Sequence, residues 1–210
     1  MTAGQVVLWR HGQTASNAES RWQGQLDVPL DEVGLRQAAD AAEVLAERKP
    51  TRIVSSDLLR AADTAGVLAG LVGLDVERDP ALREVDAGTW QGLLPGEIER
   101  RWPDDFAAWR RGEDVVIGGG ERRSDVGERA AAAIERHAEA CDDGGVLVIA
   151  SHGMALRMAL LRLLGLPSAQ WNALGSLGNT HWAALGRGRS GWFLAEYNVG
   201  PPGARRGVEG

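Results

Sequence analysis

VVLWRHGQTASN, Val6 to Asn17, begins as an apolar, partly β-branched run and ends in Arg10, His11 and Gly12, followed by Thr14, Ser16 and Asn17. Such a run reads as a buried strand, Gln5 to Arg10, that delivers ionisable groups at its carboxyl end. Open α/β sheets bind ligands in the crevice outside the carboxyl ends of their strands. The fold therefore turns on whether other strands in the chain end in the same way.

Working outward, short apolar runs alternate with longer helical patterns. Asp31 is placed to cap a helix running to about Arg48, with Leu35, Ala38, Ala39, Ala42 and Leu45 on one stripe and Pro50 closing it. Arg52 to Ser55 reads as a second strand, followed by a helix capped by Ser56 or Asp57 that reaches about Gly70. Val76 to Arg78 is a short third strand leading into ALREVDAGTWQG. An alanine-rich helix is expected from Ser124 to about Cys141, a buried strand over Val146–Ala150, a helix over Met154–Leu164, and edge strands over Thr180–Leu185 and Trp192–Tyr197. This order predicts a three-layer α/β/α sandwich around a mostly parallel central sheet. One domain is expected over residues 1–199, with a lid or insertion at about 94–123 anchored by Trp102, Phe106 and Trp109. GPPGARRGVEG, residues 200–210, is expected to be a disordered tail.

Composition excludes several classes. A chain of 210 residues with a net charge of −6 is poorly suited to non-specific binding of nucleic acid or acidic membranes. No apolar run approaches the roughly 20 residues that span a bilayer, and the start MTAGQVVLWRHG lacks a secretory pattern, so a cytoplasmic protein is expected. The single cysteine, Cys141, rules out an internal disulfide and any cysteine-cluster metal site, and it reads as a passive part of a helix end. An anionic ligand must be drawn by a local cluster of positive charge, and the expected protein partner is at most a second copy of the chain, as a homodimer.

The polar residues fall at equivalent places. His11 follows the first strand, Arg60 lies in the helix after the second, Glu84 follows the third and His152 the fourth. Each alone reads as a solvated or surface residue, but the set converges on one crevice. Arginine forks with a second histidine suit the oxygens of a phosphate, and backbone N–H groups near Gly12 and Gly153 add donors. A neutral imidazole among those charges, kept deprotonated by them, can attack phosphorus. A carboxylic acid opposite can protonate the departing alkoxide and then activate water, and Glu84 fits that double role.

LWRHGQTASN, RWQGQLDVPLDEVGLRQA, IVSSDLLRAADTA, LREVDAGTWQG and VIASHGMALR, taken in this order, resemble the histidine phosphatase superfamily, with its phosphoglycerate mutase-like fold. The resemblance spans Val6 to about Tyr197. It implies His11 as the phosphorylated nucleophile, Arg10, Arg60 and His152 as the phosphate pocket, and Glu84 as proton donor. It also implies that Asn17 contacts phosphate, that Gln23 and Gly24 border the pocket, and that no cofactor or metal is needed. FAAWRRGEDVVIGGGERRSDVGERA is similar to the phosphatase branch, although Arg122 stands where a serine is usual in its Gly-Gly-Glu-Ser motif. Residues 20–65 and 171–185 are similar to the glucosyl-3-phosphoglycerate phosphatases, which implies that substrate or a related phosphorylated metabolite.

Other motifs carry less. GGGE at 118–121 follows no strand and lacks a phosphate-loop Lys-Ser/Thr, so it reads as a flexible turn. His137 and His181 read as solvated or structural, and most of the eight tryptophans as packing. Two alternatives stay open: a phosphoglycerate mutase of the same fold, and a non-catalytic phosphate-binding module.

Overall fold

The computed structural model describes residues 2–167 and 170–203. Strands β1 (Gln5–Arg10), β2 (Arg52–Ser55), β3 (Val76–Arg78), β4 (Val146–Ser151), β5 (Trp182–Gly188) and β6 (Gly191–Val199) form one sheet in the order β3-β2-β4-β1-β5-β6. The pairs β2–β3, β2–β4 and β1–β4 are parallel, whereas β5 runs antiparallel to both β1 and β6. The strand expected over Thr180–Leu185 is therefore not at an edge. It is interior, its side chains are buried at Trp182–Leu185, and β3 and β6 form the edges.

Because side chains alternate across a strand, each central strand feeds two cores. Val6 and Leu8 of β1 and Leu147 and Ile149 of β4 pack under helices α6 (Arg123–Glu139) and α7 (Gly153–Leu163). Val7, Trp9, Val148 and Ala150 point the other way, onto α2 (Glu32–Ala46) and α3 (Leu59–Val72). Burying each such large apolar side chain is worth about 1.5–3 kcal/mol. This is the expected three-layer sandwich. A third cluster joins Trp90, Ile98, Phe106 and Ile117 to Val126 of α6 and Ala155 of α7, with Trp22, Trp102 and Trp109 packed around it. It seats helices α4 (Pro95–Arg101) and α5 (Pro103–Arg110) over one end of the sheet.

Helix α2 is capped by Asp31, whose Oδ1 accepts from Gly34 N at 2.7 Å. Its buried stripe is Gly34, Ala38, Ala41, Ala42 and Leu45. Leu35 and Ala39 face solvent, so the expected stripe was out of phase at its amino end. The α3 cap also differs. Ser56 Oγ accepts from Leu58 N and Asp57 pairs with Arg83, while the first free N–H of the helix, at Leu59, donates to Asp27 Oδ1 at 2.7 Å. His137 and His181 are buried and structural rather than solvated, held by Asp79 and Asn198. Pro201 is buried, and residues 204–210, most of the expected tail, lie outside the described residues. Among the described residues no helix is long and apolar enough to cross a membrane.

Candidate active site

β1 ends in Arg10 and passes directly to His11, whose backbone N–H donates to Ser151 O at 3.0 Å, so the turn is tied to the end of β4. The His11 carbonyl accepts from Asn179 Nδ2 and Thr180 N. The loop then crosses α2 at very close range. A Cβ on Gly12 would lie 2.5 Å from Gly34 O, so only glycine fits there. Gly12 N–H, expected as a donor to the ligand, is instead taken up within the protein. It donates to Thr64 Oγ1 at 3.1 Å.

His11 Nδ1 is 2.6 Å from Gly12 O. A carbonyl can only accept, so the proton sits on Nδ1 and the lone pair on Nε2. Nε2 lies 3.3 Å from Arg60 Nε. Burial first, and then the charges of Arg60 and Arg10, hold the His11 pKa well below its usual value.

Arg60 is fully buried in the first turn of α3. Its Nη1 donates to Leu26 O at 2.7 Å and its Nη2 to Gly24 O at 2.8 Å, so the loop after Trp22 wraps its guanidinium. Burial pushes its pKa down to about 10. Arg10 Nη1 donates to Leu177 O, and its Nε lies 3.4 Å from where a Cβ on Gly153 would stand. His152 is fully buried and neither ring nitrogen has a hydrogen-bond partner among the described residues. Its ring centroid is 5.2 Å from that of His11. Burial, Arg60 and His11 keep it neutral.

Glu84 reaches the amino end of α7. Its Oε1 accepts from Val85 N and Ala155 N at 2.9 Å each, and Oε2 accepts from Met154 N at 3.1 Å. Oε1 is thus saturated, and Oε2 keeps a lone pair for a proton. Gly153, the first residue of α7, sits between this carboxyl group and Arg10.

Asn17 and Gln23 meet through Thr14. Thr14 Oγ1 lies 3.1 Å from Asn17 Oδ1 and 2.9 Å from Gln23 Oε1, and Asn179 Nδ2 donates to Asn17 Oδ1. Thr14, Thr64 and Asn179 position the site and carried no separate role in the sequence reading. Among the described residues no cluster of three or more His, Cys, Asp or Glu side chains could hold a metal ion.

A neutral imidazole, two arginines, a second histidine and an anchored carboxyl group thus come together where β1 and β4 end. Residues 6–200 match the family described as the histidine phosphatase superfamily, branch 1. The chain belongs to this superfamily. As a histidine phosphatase it is a phosphoric monoester hydrolase with relatives of the same type. It is 44% identical over 192 residues to a glucosyl-3-phosphoglycerate phosphatase of Mycobacterium tuberculosis, covering 88% of this chain and 86% of that one. The solved mycobacterial glucosyl-3-phosphoglycerate phosphatase complexed with VO3 superposes with a TM-score of 0.87 at 42% identity, covering 94% of this chain and all of the other. A probable phosphoglycerate mutase of Yersinia pestis is 39% identical over 169 residues, 78% of this chain and 76% of that one.

Proposed function

We propose that this histidine phosphatase hydrolyses glucosyl-3-phosphoglycerate, or a closely related phosphorylated sugar acid, through a phosphohistidine on His11. The observation that carries the mechanism is the hydrogen bond from His11 Nδ1 to Gly12 O, which leaves the Nε2 lone pair facing the arginine pocket. The 44% identity to the mycobacterial enzyme supports the substrate. Phosphorylated sugar acids are retained in the cytoplasm by their charge, and the enzyme is proposed to work there.

Arg10, Arg60 and His152 bind the phosphoryl oxygens and balance the charge that develops on them, without a metal ion. Asn17 adds a contact to phosphate, and Gln23, Gly24 and Gly153 border the pocket. Nε2 of His11 attacks phosphorus as the ester P–O bond breaks, and Glu84 Oε2 gives its proton to the leaving oxygen. Glu84, now a carboxylate, takes a proton from water. The resulting hydroxide attacks phosphorus, the P–N bond breaks, and inorganic phosphate, neutral His11 and protonated Glu84 are restored.

The Yersinia relative's name raises the mutase reading. In the mutases that this chain resembles, a lysine and an arginine pair after the glutamate segment hold the substrate carboxylate and exclude water. Here LLPGEIERRWPDDFAAW has no lysine, Lys49 being the only one in the chain, and Arg110 and Arg111 run into GEDVVIGGG. Measured side by side, phosphate release from glucosyl-3-phosphoglycerate should far exceed interconversion of 2- and 3-phosphoglycerate. Dominant interconversion would reverse the choice.

A further inference from the structure

We propose that Arg129 and Glu121 form a clamp that sets the position of Glu84, which makes Arg129 a positioning residue for proton transfer to the leaving group. The inference rests on the role proposed above for Glu84.

Arg129 projects from the middle of α6 and uses all three guanidinium nitrogens as donors. Nη1 donates to Ala81 O at 2.9 Å and to Arg83 O at 2.7 Å, and Nη2 donates to Glu84 O at 2.8 Å. Nε and Nη2 also donate to the two carboxylate oxygens of Glu121, each at 2.8 Å. Three carbonyls within four residues of chain, ending at Glu84, are thus tied to one side chain. Gln25 Nε2 adds a fourth tie, to Glu84 O at 3.2 Å.

Glu121 is delivered by the GGGE run, a turn, as expected, whose end is tied to Asp86. Its carboxylate Oε2 accepts from Asp86 N at 2.8 Å, while its own N–H donates to Asp86 O at 2.9 Å. Backbone approaches backbone so closely that a Cβ on Gly120 would lie 2.1 Å from Asp86 O. The side chains of Arg129 and Glu121 are only 22% and 24% exposed, so the pair is sheltered from solvent and its bidentate geometry is specific.

Glu84 is therefore held from two sides. Its backbone is fixed by Arg129, and its carboxyl oxygens by the N–H groups that open α7. If the backbone drifts, the carboxyl group must leave those donors or turn from the leaving oxygen. A proton donor displaced by about 1 Å loses much of its effect while phosphate binding, built on other elements, is spared. Lysine at position 129 keeps the charge but cannot span this set of acceptors, since it lacks the planar fork.

The test compares Glu84→Gln, Arg129→Lys and Glu121→Gln on an alkyl phosphomonoester and on p-nitrophenyl phosphate, whose leaving group needs little protonation. Vanadate affinity and melting temperature are measured for each. Arg129→Lys should lower kcat for the alkyl ester by about tenfold or more, with the roughly 10²- to 10⁴-fold worth of acid–base catalysis as the ceiling, and much less for the aryl ester. Vanadate affinity should be unchanged. Glu121→Gln should show the same selectivity in weaker form, and it carries the test if Arg129→Lys does not fold. Adding Glu84→Gln to Arg129→Lys should cost little beyond Glu84→Gln alone, because the clamp acts through Glu84. Equal losses on both esters, weakened vanadate binding, or additive losses in the double variant would overturn the clamp. Absence of leaving-group selectivity in Glu84→Gln itself would instead overturn the role of Glu84.

Discussion

The rings of His11 and His152 lie 5.2 Å apart at 60°, both buried, and no carboxylate among the described residues is bonded to either. In many histidine sites an aspartate would favour the charged ring. Here burial and two arginines favour the neutral one in both residues.

Stability should therefore respond to acid in a defined direction. Both folded pKa values lie well below the unfolded value of about 6.5, so the stability due to neutral rings is complete above that pH and is lost as pH falls through and below it. Urea titrations between pH 8 and 5 should show the unfolding midpoint falling below about pH 6.5. In His152→Asn the fall should be shallower, since one fewer proton is taken up on unfolding. An acid limb of equal steepness in that variant would contradict the assignment.

In the proposed mechanism Arg60, rather than a divalent ion, balances the charge on the transferring phosphoryl group. Arg60→Ala should lower kcat/KM by about 10²- to 10³-fold, the usual cost of one preorganised donor, and Arg60→Lys should recover little because the fork to Gly24 and Leu26 is lost. Chelation with EDTA should leave turnover unchanged. Loss of activity on chelation, restored by a divalent cation, would count against this account.

Thr64 tests the support under His11. Its hydroxyl accepts from Gly12 N and donates to Arg60 O, both in the interior. Thr64→Val keeps the shape but strands the Gly12 N–H, which should cost about 1–3 kcal/mol of stability. Chemical denaturation checks the value, and no measurable loss would mean that the loop finds another acceptor.

The sheet was readable because short apolar runs alternate with helical patterns, and the site because His11, Arg60, Glu84 and His152 each follow a different strand. What escaped depended on distance along the chain or on phase. The α3 N–H that meets Asp27 is 32 residues away in sequence. The α2 stripe passes through Gly34, which an apolar count skips in favour of Leu35, although close packing against Gln13 demands glycine. Arg129 looks like any polar residue on an alanine-rich helix. Only folding brings it to the carbonyls of 81–84 and to Glu121.

The central claim is a covalent bond between phosphorus and His11 Nε2. A phosphoramidate is labile to acid and stable to base, so enzyme quenched during turnover of ³²P-labelled substrate should retain label in alkali, lose it in acid, and carry none in His11→Ala. Label stable to acid, label on another residue, or full turnover by His11→Ala would contradict the account.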